Sequence, residues 1–401
     1  MTHDSRESSP GRRLVILNQA ANYLTVGFAN AFNRKFDWVT LITGSVHVQG
    51  APLDSDIEVC QINRWHERPA WKKAFSWLLA LLRMWWLLMT RYRRHEVLFV
   101  SVPPMGYLLN LILPHRFSMV IWDVYPDVLR IKGMSDRHPV FRLWAWLNRR
   151  SFSRAWRIFT ISEPMAALLS KYVDRSRLNV HPIWSIFQDN SRVPAVRNPF
   201  VKEHELADKF VVQYSGNIGL THNVEVLIDI AENLKDHPGI VFQIIGRGPR
   251  KPLVERMVRE RGLSNVEFLP FQSDDMFPFS LSAADLGVVI LHESVSRGSV
   301  PSKAYNLMSF GVPALYIAAP DSELARYARE FGNARCFEAR QVAEVGEFIR
   351  SLVACPTEHQ EMSAKAEAAS RLFRLENADR FVSSYFAVDA ADAAIPVSAN
   401  D

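Results

Sequence analysis

The sequence predicts an α/β protein with two doubly wound, Rossmann-like domains that face each other across a cleft. Short β-rich runs alternate with helical patterns along most of the 401 residues. A polar segment that contains prolines, at 188–199, interrupts this alternation, and the same alternation then starts again. Short strands separated by helices indicate βαβ units and mostly parallel sheets.

The first half supplies the elements of one domain, which we place at 12–190. Its predicted strands lie at 13–18, 38–43, 97–102, 119–124, 157–162 and 179–184. Its predicted helices lie at 24–35, about 70–94, 138–154 and 163–173. This order favours a parallel sheet covered by helices on both faces.

The second half repeats the pattern in a domain that we place at 200–375. Its predicted strands lie at 210–216, 240–246, 266–271, 284–291 and 313–318. Its predicted helices lie at 223–235, 250–262, 274–283, 302–310, 322–331, 341–353 and 357–371. A last helix at 376–386 is expected to pack back on the first domain. The polar ends, 1–11 and 388–401, are expected to be a flexible leader and tail.

Composition and cysteine usage indicate a globular protein of a reducing compartment, the cytoplasm. Hydrophobic residues make up 48% of the chain and charged residues 22%, which is enough to build two cores. The three cysteines, Cys60, Cys336 and Cys355, are scattered without metal-ligand spacing. This spacing argues against a disulfide framework and against a zinc site. The first residues also lack the apolar core of a secretory signal.

Charge is divided unevenly between the two halves. Residues 1–200 hold 27 Lys and Arg against 14 Asp and Glu, a balance of +13. The remaining 201 residues hold 20 against 28, a balance of −8, and the two balances sum to the net charge of +5. The asymmetry predicts an anionic partner for the first half, such as a membrane surface or an acidic substrate. No motif supports nucleic-acid binding.

The segment VPSKAYNLMSFGVP, residues 300–313, is the clearest candidate ligand site. Pro301 suits the first turn of a helix and Gly311 suits the position just after its end. Ser302 and Lys303 therefore fall at a helix N-terminus, where free amide groups and the helix dipole attract anions, and a lysine favours phosphate. Taken alone, the same residues are also compatible with an ordinary helix start.

Three other strand ends in the second half carry residues suited to a nucleotide. Gly216, Asn217 and Gly219 follow one strand, and glycines there allow the backbone to approach a pyrophosphate. Arg247 follows the next strand, in IGRGPR, and is able to reach an anion. Gln272 ends LPFQ, where backbone groups can contact a base edge. Each of these turns alone is also explained by loop conformation.

Six motifs of the second half, in their order along the chain, closely resemble the nucleotide-sugar half of family 4 retaining glycosyltransferases. They are SGNIG, IGRGP, NVEFLPFQ, LSAADLGVVIL, VPSKAYNLMSFGVP and DSELA. The similarity is greatest to the WbuB/WcaI-like group of bacterial surface-polysaccharide biosynthesis. WDVYPDV at 122–128 and FTISEPM at 159–165 match that group more loosely. The resemblance implies a GT-B fold, with the acceptor bound by the first domain and the donor by the second.

The resemblance also implies a hexosyltransferase that retains the configuration at the anomeric carbon of the transferred sugar. The implied donor is a UDP- or GDP-linked sugar, and neither a metal nor a further cofactor is expected. The implied acceptor is a lipid-linked saccharide or an oligosaccharide of lipopolysaccharide or exopolysaccharide synthesis. Lys303 is then also catalytic, because it stabilises the leaving diphosphate. The implied donor-binding residues are Gly216, Asn217, Gly219, His222, Arg247, Gln272, Ser302, Lys303, Tyr305 and Asn306.

In the first half, Asp123 and Asp127 flank a Tyr-Pro pair directly after a buried strand. An aspartate facing the cleft between domains is a candidate to orient or deprotonate an acceptor hydroxyl. We therefore propose both as catalytic candidates. The alternative is turn chemistry, in which an aspartate caps the helix that begins near residue 127.

One departure from the family pattern leaves other functions open. Asn306 stands where family members usually carry a glutamate that grips the donor sugar or ribose, and only Glu293 lies near the expected partner glutamate. A weakened or altered enzyme is therefore an alternative. A GT-B nucleotide-sugar epimerase and a non-catalytic, donor-binding partner of another transferase are the others.

A strongly apolar helical segment at 74–89 predicts contact with a membrane surface. It is short for a membrane span, and Arg83 at its centre costs roughly 2.5–3.5 kcal/mol in a bilayer core. Tryptophans suit the membrane interface, and each nearby cation adds about 1 kcal/mol at an anionic surface. The candidate membrane residues are Trp77, Trp85, Trp86, Lys72, Lys73, Arg91, Arg93 and Arg94. We expect peripheral association with the inner face of the cytoplasmic membrane; the alternative is a helix buried on the sheet.

Overall fold

The computed structural model describes residues 11–48, 50–66, 69–188 and 191–387, which form two α/β domains with one parallel sheet each. The expected fold class is therefore confirmed. The leader, apart from residue 11, and the tail at 388–401 lie outside the described residues.

The first domain is built on a seven-stranded parallel sheet in the part of the chain that is described. Its strands are β1 (Arg13–Leu17), β2 (Trp38–Thr43), β3 (Glu58–Gln61), β4 (Glu96–Val100), β5 (Phe117–Ile121), β6 (Ile158–Thr160) and β7 (Leu178–Val180). Their order across the sheet is β3-β2-β1-β4-β5-β6-β7. All residues of β5 are buried, as expected for a central strand covered on both faces.

Helices of the first domain connect these strands. They are α1 (Tyr23–Asn33), α2 (Ala70–Thr90), α3 (Pro139–Arg154) and α4 (Glu163–Leu169). Asn22 caps α1, because its side-chain oxygen accepts the amide hydrogens of Leu24 and Thr25. Two 3₁₀ segments, Gly106–Leu111 and Asp127–Lys132, follow β4 and β5 respectively.

The second domain carries a six-stranded parallel sheet among the residues described. Its strands are β8 (Phe210–Asn217), β9 (Ile240–Arg247), β10 (Val266–Leu269), β11 (Leu286–Ile290), β12 (Ala314–Ile317) and β13 (Ala334–Phe337), in the order β10-β9-β8-β11-β12-β13. Its helices are α5 (Pro199–Glu203), α6 (Glu225–Asn233), α7 (Lys251–Glu260), α8 (Phe277–Ala283), α9 (Glu293–Ser296), α10 (Ser302–Ser309), α11 (Glu323–Phe331), α12 (Val342–Ala354) and α13 (Pro356–Ser370).

The last helix, α14 (Asn377–Phe386), returns to the first domain and packs on α1, as the sequence predicts. The rings of Phe28 and Phe381 meet edge to face, with centroids 4.8 Å apart. The Tyr385 hydroxyl donates a hydrogen bond of 2.7 Å to a Glu96 carboxylate oxygen at the start of β4. The chain therefore crosses between the domains twice.

The two crossing segments run side by side and bond to each other. The amide of Ser185 donates to the carbonyl of Phe373 over 3.0 Å. The amide of Leu375 donates to the side-chain oxygen of Gln188 over 3.1 Å. These bonds fix the outgoing and returning chains at one end of the cleft.

Several sequence predictions of element position are wrong. The strands β3 and β13 were not predicted, because both are four residues long, lie at sheet edges and are only partly buried. The helix predicted at 223–235 begins two residues later, as α6 at Glu225, and Asn223 has a φ of 38°. Pro301 occupies the N-cap position of α10 and not its first turn. The predicted strand at 179–184 ends at Val180.

Candidate active site

An interdomain cavity of about 280 Å³ lies where the carboxyl ends of the two sheets face each other. The first domain contributes Asp123 and Val128, which follow β5. The second domain contributes residues of the β8–α6 loop, the end of β11 and the start of α10. Cavities at the carboxyl ends of parallel strands are the usual ligand sites of doubly wound folds. We call this space the interdomain cavity.

Lys303 is the main cation of the interdomain cavity. Its ammonium group donates a hydrogen bond of 3.0 Å to the Tyr214 hydroxyl and lies 4.1 Å from the centroid of the Tyr214 ring. The Tyr214 hydroxyl in turn donates to the carbonyl of Asn217 over 2.7 Å. Desolvation by the cavity walls lowers the pKa of Lys303 to about 7. The lysine is therefore held in place without a neutralising carboxylate in the described part of the chain, which leaves its charge available to an anion.

Gly216 leaves space for Lys303, and Gly246 lets β9 approach Gly216 closely. Gly216 has a φ of +142°, and a Cβ built on it would lie 2.4 Å from the Lys303 Cε. Gly246 has a φ of +145°, and a Cβ there would lie 1.9 Å from the Gly216 carbonyl oxygen. Both positions therefore need glycine for close approach of β8, β9 and the lysine.

The start of α10 lies on the cavity wall and carries Ser302. Pro301 at the N-cap makes no side-chain hydrogen bond to the helix, and the first amides of a helix have no partner within it. Ser302 lies near the hydroxyl of Tyr23, which begins α1 in the other domain and donates to the carbonyl of Trp184 over 3.3 Å. The two walls of the cleft thus approach each other beside a helix terminus that favours an anion.

His222 and Asp123 also line the interdomain cavity, and desolvation shifts the pKa of each toward its neutral form. The pKa of His222 falls to about 4, with desolvation as the main cause and the charge of Lys303 as the second. The Asp123 carboxylate is open to the cleft, yet the surrounding protein atoms replace enough water to raise its pKa to about 7. The cavity thus pairs a neutral imidazole with a carboxyl group poised near neutrality.

Asp127, the second aspartate predicted as catalytic, lies outside the interdomain cavity. Its carboxylate accepts a hydrogen bond from the Tyr172 hydroxyl and another of 3.2 Å from the Lys171 ammonium group. The Arg130 guanidinium lies 3.6 Å away. Three partners within the first domain hold Asp127, so the structure separates it from Asp123 and Lys303.

The remaining strand-end residues lie beside the cavity on the second domain. Asn217 is exposed at the end of β8 and Gly219 is buried in the loop that follows. The Arg247 guanidinium lies 5.8 Å from the centroid of the exposed Phe271 ring. The Gln272 side chain donates to the carbonyl of Pro270 over 2.9 Å. Arg247 and Phe271 thus form a cationic and aromatic edge at the ends of β9 and β10.

Two predicted donor residues, Tyr305 and Asn306, point away from the interdomain cavity. Tyr305 is fully buried, and its hydroxyl lies 3.3 Å from that of Tyr327 in the core. The Asn306 side-chain oxygen accepts a hydrogen bond of 2.9 Å from Ser185 on the crossing segment. Asn306 therefore joins α10 to the connection between domains. Neither side chain lines the cavity around Lys303.

Sequence reasoning assigned no role to Tyr214 or Tyr23, although both position the anion site. Tyr214 accepts a hydrogen bond from Lys303, and Tyr23 lies near Ser302. Tyr214 precedes Gly216 by two residues on a buried strand, and this proximity to a glycine turn was the available signal. No sequence signal identified Tyr23, because its partner lies in the other domain.

The helix α2 exposes an unusually wide apolar face. Its buried strip consists of Ser76, Ala80, Met84 and Leu88, four residues apart. Its exposed large apolar residues are Trp71, Phe75, Leu78, Leu82, Trp85, Trp86 and Met89. Trp86 is 60% exposed, whereas Trp77 is half-buried and its indole nitrogen is inaccessible. Exposed patches of this kind mark interaction surfaces.

Basic side chains surround this face of α2. Lys72 lies over the Trp71 ring, Lys73 lies over the Trp77 ring, and Arg91 forms a 2.5 Å ion pair with Glu58. Arg93 and Arg94 are exposed just after the helix. No helix within the described ranges meets the length and hydropathy needed to cross a membrane. The same ranges contain no group of three or more His, Cys, Asp or Glu side chains arranged to hold a metal ion.

Comparison with known sequences connects this geometry to a family. The family model described as glycosyl transferases group 1 matches residues 197–369. The chain is 30% identical over 257 residues to the putative colanic acid biosynthesis glycosyl transferase WcaI of Escherichia coli (strain K12), covering 62% of this chain and 61% of WcaI. It is 28% identical over 255 residues to the probable glycosyltransferase WbjE of Pseudomonas aeruginosa, covering 61% of this chain and 63% of WbjE. The chain thus spans less than two thirds of the length of these curated relatives.

Comparison with solved structures identifies the fold. The crystal structure of WaaG, a glycosyltransferase involved in lipopolysaccharide biosynthesis, superposes with a TM-score of 0.71 at 12% identity. The match covers 94% of this chain and all of WaaG. The two-domain architecture described above is therefore the GT-B fold.

Proposed function

We propose that the chain, whose residues 197–369 match the family model of glycosyl transferases group 1, transfers a sugar from a nucleotide diphosphate to a lipid-linked saccharide. The observation that carries the proposal is the interdomain cavity, in which Asp123 of one domain faces Ser302 and Lys303 of the other. A group suited to an acceptor hydroxyl and groups suited to a leaving diphosphate thus line one cavity. We take retention at the anomeric carbon from the family resemblance.

The donor side of the proposal rests on charge. Breaking the glycosidic bond leaves negative charge on the diphosphate, so cations and amide groups fixed in advance lower the barrier. Lys303 and the first amides of α10 supply them, and Gly216 keeps the lysine close to the β8 backbone. We propose that Arg247 contacts the diphosphate and that Gln272 binds the nucleoside end of a UDP- or GDP-linked sugar. In this scheme Lys303 serves as the cation and no metal is required.

The acceptor side rests on Asp123. With a pKa of about 7, this carboxyl group is about half ionised at neutral pH. Its ionised form is able to accept a proton or a hydrogen bond from the attacking hydroxyl. Asp123 has no hydrogen-bond or ion-pair partner within the described residues, so its oxygens are available to the acceptor. We propose Asp123 as the residue that orients the acceptor and Lys303 as the residue that stabilises the leaving group.

The wide apolar face of α2 supports a position at the inner face of the cytoplasmic membrane. An amphipathic helix with tryptophans on the apolar side and cations at its rim binds the interface of an anionic bilayer. Trp85 and Trp86 would enter the interface, and Arg93 and Arg94 would contact headgroups. This position would bring the cleft close to an acceptor held in the membrane by its lipid.

Asn306 favours a second candidate, a donor-binding partner without transferase activity. This residue replaces the glutamate usual in the family and bonds Ser185 instead of facing the cavity. An epimerase is less well supported, because Asp123 is the single carboxylate among the described residues that line the cavity. Such a reaction would need further acid and base groups.

Incubation of the full chain with UDP- and GDP-sugars and a bacterial membrane lipid extract tests these possibilities. Transfer predicts release of the nucleoside diphosphate together with a glycosylated lipid, detected by mass spectrometry. NMR of that lipid gives the anomeric configuration. Donor binding without release would identify the non-catalytic partner, and an epimerised donor without glycosylated lipid would identify the epimerase.

A further inference from the structure

A second large cavity, of about 1150 Å³, lies in the first domain beside α3. Its charged lining residues are Arg130, Arg142, Arg149, Lys171, Asp127 and Asp136. These four cations and two carboxylates give the lining a net charge of +2. We call this space the basic cavity. Its charge suits an anionic group.

Two of the four cations are available to a ligand. Asp127 contacts Lys171 and Arg130, and Arg130 also bonds Asp136 over 2.7 Å. Arg142 and Arg149 are exposed and have no carboxylate within ion-pair distance in the described part of the chain. They are seven residues apart on α3, so both project from one side of the helix. Arginines in this arrangement bind phosphate oxygens through paired hydrogen bonds.

The basic cavity and the interdomain cavity share a wall, the 3₁₀ segment Asp127–Lys132. Val128 of this segment lines the interdomain cavity, whereas Asp127 and Arg130 line the basic cavity. Asp123 is four residues before Asp127, so their Cα atoms lie no more than about 14 Å apart. A short saccharide is able to span this separation.

The rim of the basic cavity continues into the apolar surface of the first domain. Leu143 is 59% exposed and Trp146 is 46% exposed, and both line the cavity. The helix α3 packs on the 3₁₀ segment Gly106–Leu111, which in turn packs on α2. This segment therefore connects α2 with α3, and both helices carry exposed apolar side chains. A ligand with an anionic head and an apolar tail matches both surfaces.

We propose that the basic cavity binds the diphosphate that links the acceptor saccharide to its lipid, and this inference rests on the proposed transferase function. Arg142 and Arg149 hold the diphosphate, and the lipid leaves over Leu143 and Trp146 toward the membrane. The saccharide passes the shared 3₁₀ wall and reaches Asp123.

Binding of the full chain to vesicles tests the proposal without any donor. The probes are phosphatidylcholine vesicles that contain undecaprenyl diphosphate, and phosphatidylcholine vesicles that contain phosphatidylglycerol at equal surface charge. The test variant carries Arg142→Gln and Arg149→Gln. The control variant carries Lys35→Gln and Arg154→Gln, which remove the same charge from exposed positions of the first domain outside the cavity.

Loss of two charge-assisted interactions predicts weaker binding of the test variant to the diphosphate vesicles by on the order of tenfold to a hundredfold. The control variant should stay close to the wild type on those vesicles, and the two variants should behave alike on phosphatidylglycerol. Inorganic pyrophosphate should compete for the wild type on the diphosphate vesicles. Equal binding of both variants to the diphosphate vesicles would overturn the proposal. A selective loss on phosphatidylglycerol would instead assign the cavity to a headgroup.

This measurement separates failure of the inference from failure of the proposed function. If the protein transfers no sugar but binds diphosphate vesicles through Arg142 and Arg149, the inference holds and the proposed transferase function is wrong. If the test variant glycosylates lipid acceptors at the rate of the control variant, the transferase function holds and the inference is wrong.

Discussion

Replacement of Lys303 by methionine tests the centre of the proposed site, because methionine preserves length and removes charge. In the structure the ammonium group stands on the Tyr214 ring and hydroxyl, in a space that Gly216 leaves open. Its pKa of about 7 shows that the folded protein disfavours the charged form. We therefore expect Lys303→Met to change activity and stability in opposite directions.

For activity, loss of one group that stabilises charge in the transition state costs about 3–4 kcal/mol, or roughly 10²–10³ in kcat. The assay is release of nucleoside diphosphate under saturating donor, with Lys235→Met as a control on the surface of the same domain. A kcat for Lys303→Met within about threefold of the wild type would refute the phosphate role of this lysine.

For stability, the sign follows from the lowered pKa. An unfolded lysine has a pKa of about 10.4, so between pH 7 and 10 the unfolded chain binds more protons than the folded one. The wild type should therefore gain stability as pH rises through this window, and below pH 7 it carries the full cost of the desolvated charge. Lys303→Met should be more stable than the wild type at pH 6, by on the order of 1 kcal/mol given partial solvent contact. A lower melting temperature at pH 6 would contradict this reasoning.

Three further outcomes are expected. Gly216→Ala places a methyl group 2.4 Å from Lys303 at a φ unsuited to alanine, so donor affinity measured by calorimetry should fall about tenfold or more, with a lower melting temperature. Asp123→Asn should remove the rise of kcat/KM with pH near 7, because ionisation of this carboxyl group, with its pKa of about 7, produces that rise. If the variant still shows the rise, another group is responsible for it. Trp85→Ser with Trp86→Ser should release the protein from anionic vesicles in sedimentation while donor affinity stays unchanged, and undiminished sedimentation would argue against the α2 surface.

Much of the fold is encoded locally and could therefore be predicted. Apolar runs that alternate with helical patterns specify buried strands and their connections, and a parallel sheet brings their carboxyl ends together. This logic placed Gly216, Arg247, Gln272 and Lys303 along one edge of the second sheet. It failed for β3 and β13, since short edge strands with one solvated face carry little apolar signal.

The rest of the site depends on contacts between residues far apart in the chain. Ser185 and Asn306 are separated by 121 positions, and Tyr23 meets Ser302 across the cleft. Local patterns carry no information on such pairs, because they arise only when two domains adopt one relative position. For the same reason the sequence grouped Asp123 with Asp127, although the structure assigns them to different cavities.

The double crossing between domains has a mechanical consequence. Since Ser185 bonds Phe373 and Leu375 bonds Gln188, the outgoing and returning chains form a two-stranded hinge at one end of the cleft. Two connections side by side permit rotation of the domains about the line that joins them and resist rotation about axes perpendicular to that line. Opening the cleft would thus part Asp123 from Lys303 along a single path, and closing it would restore their alignment without a search over orientations.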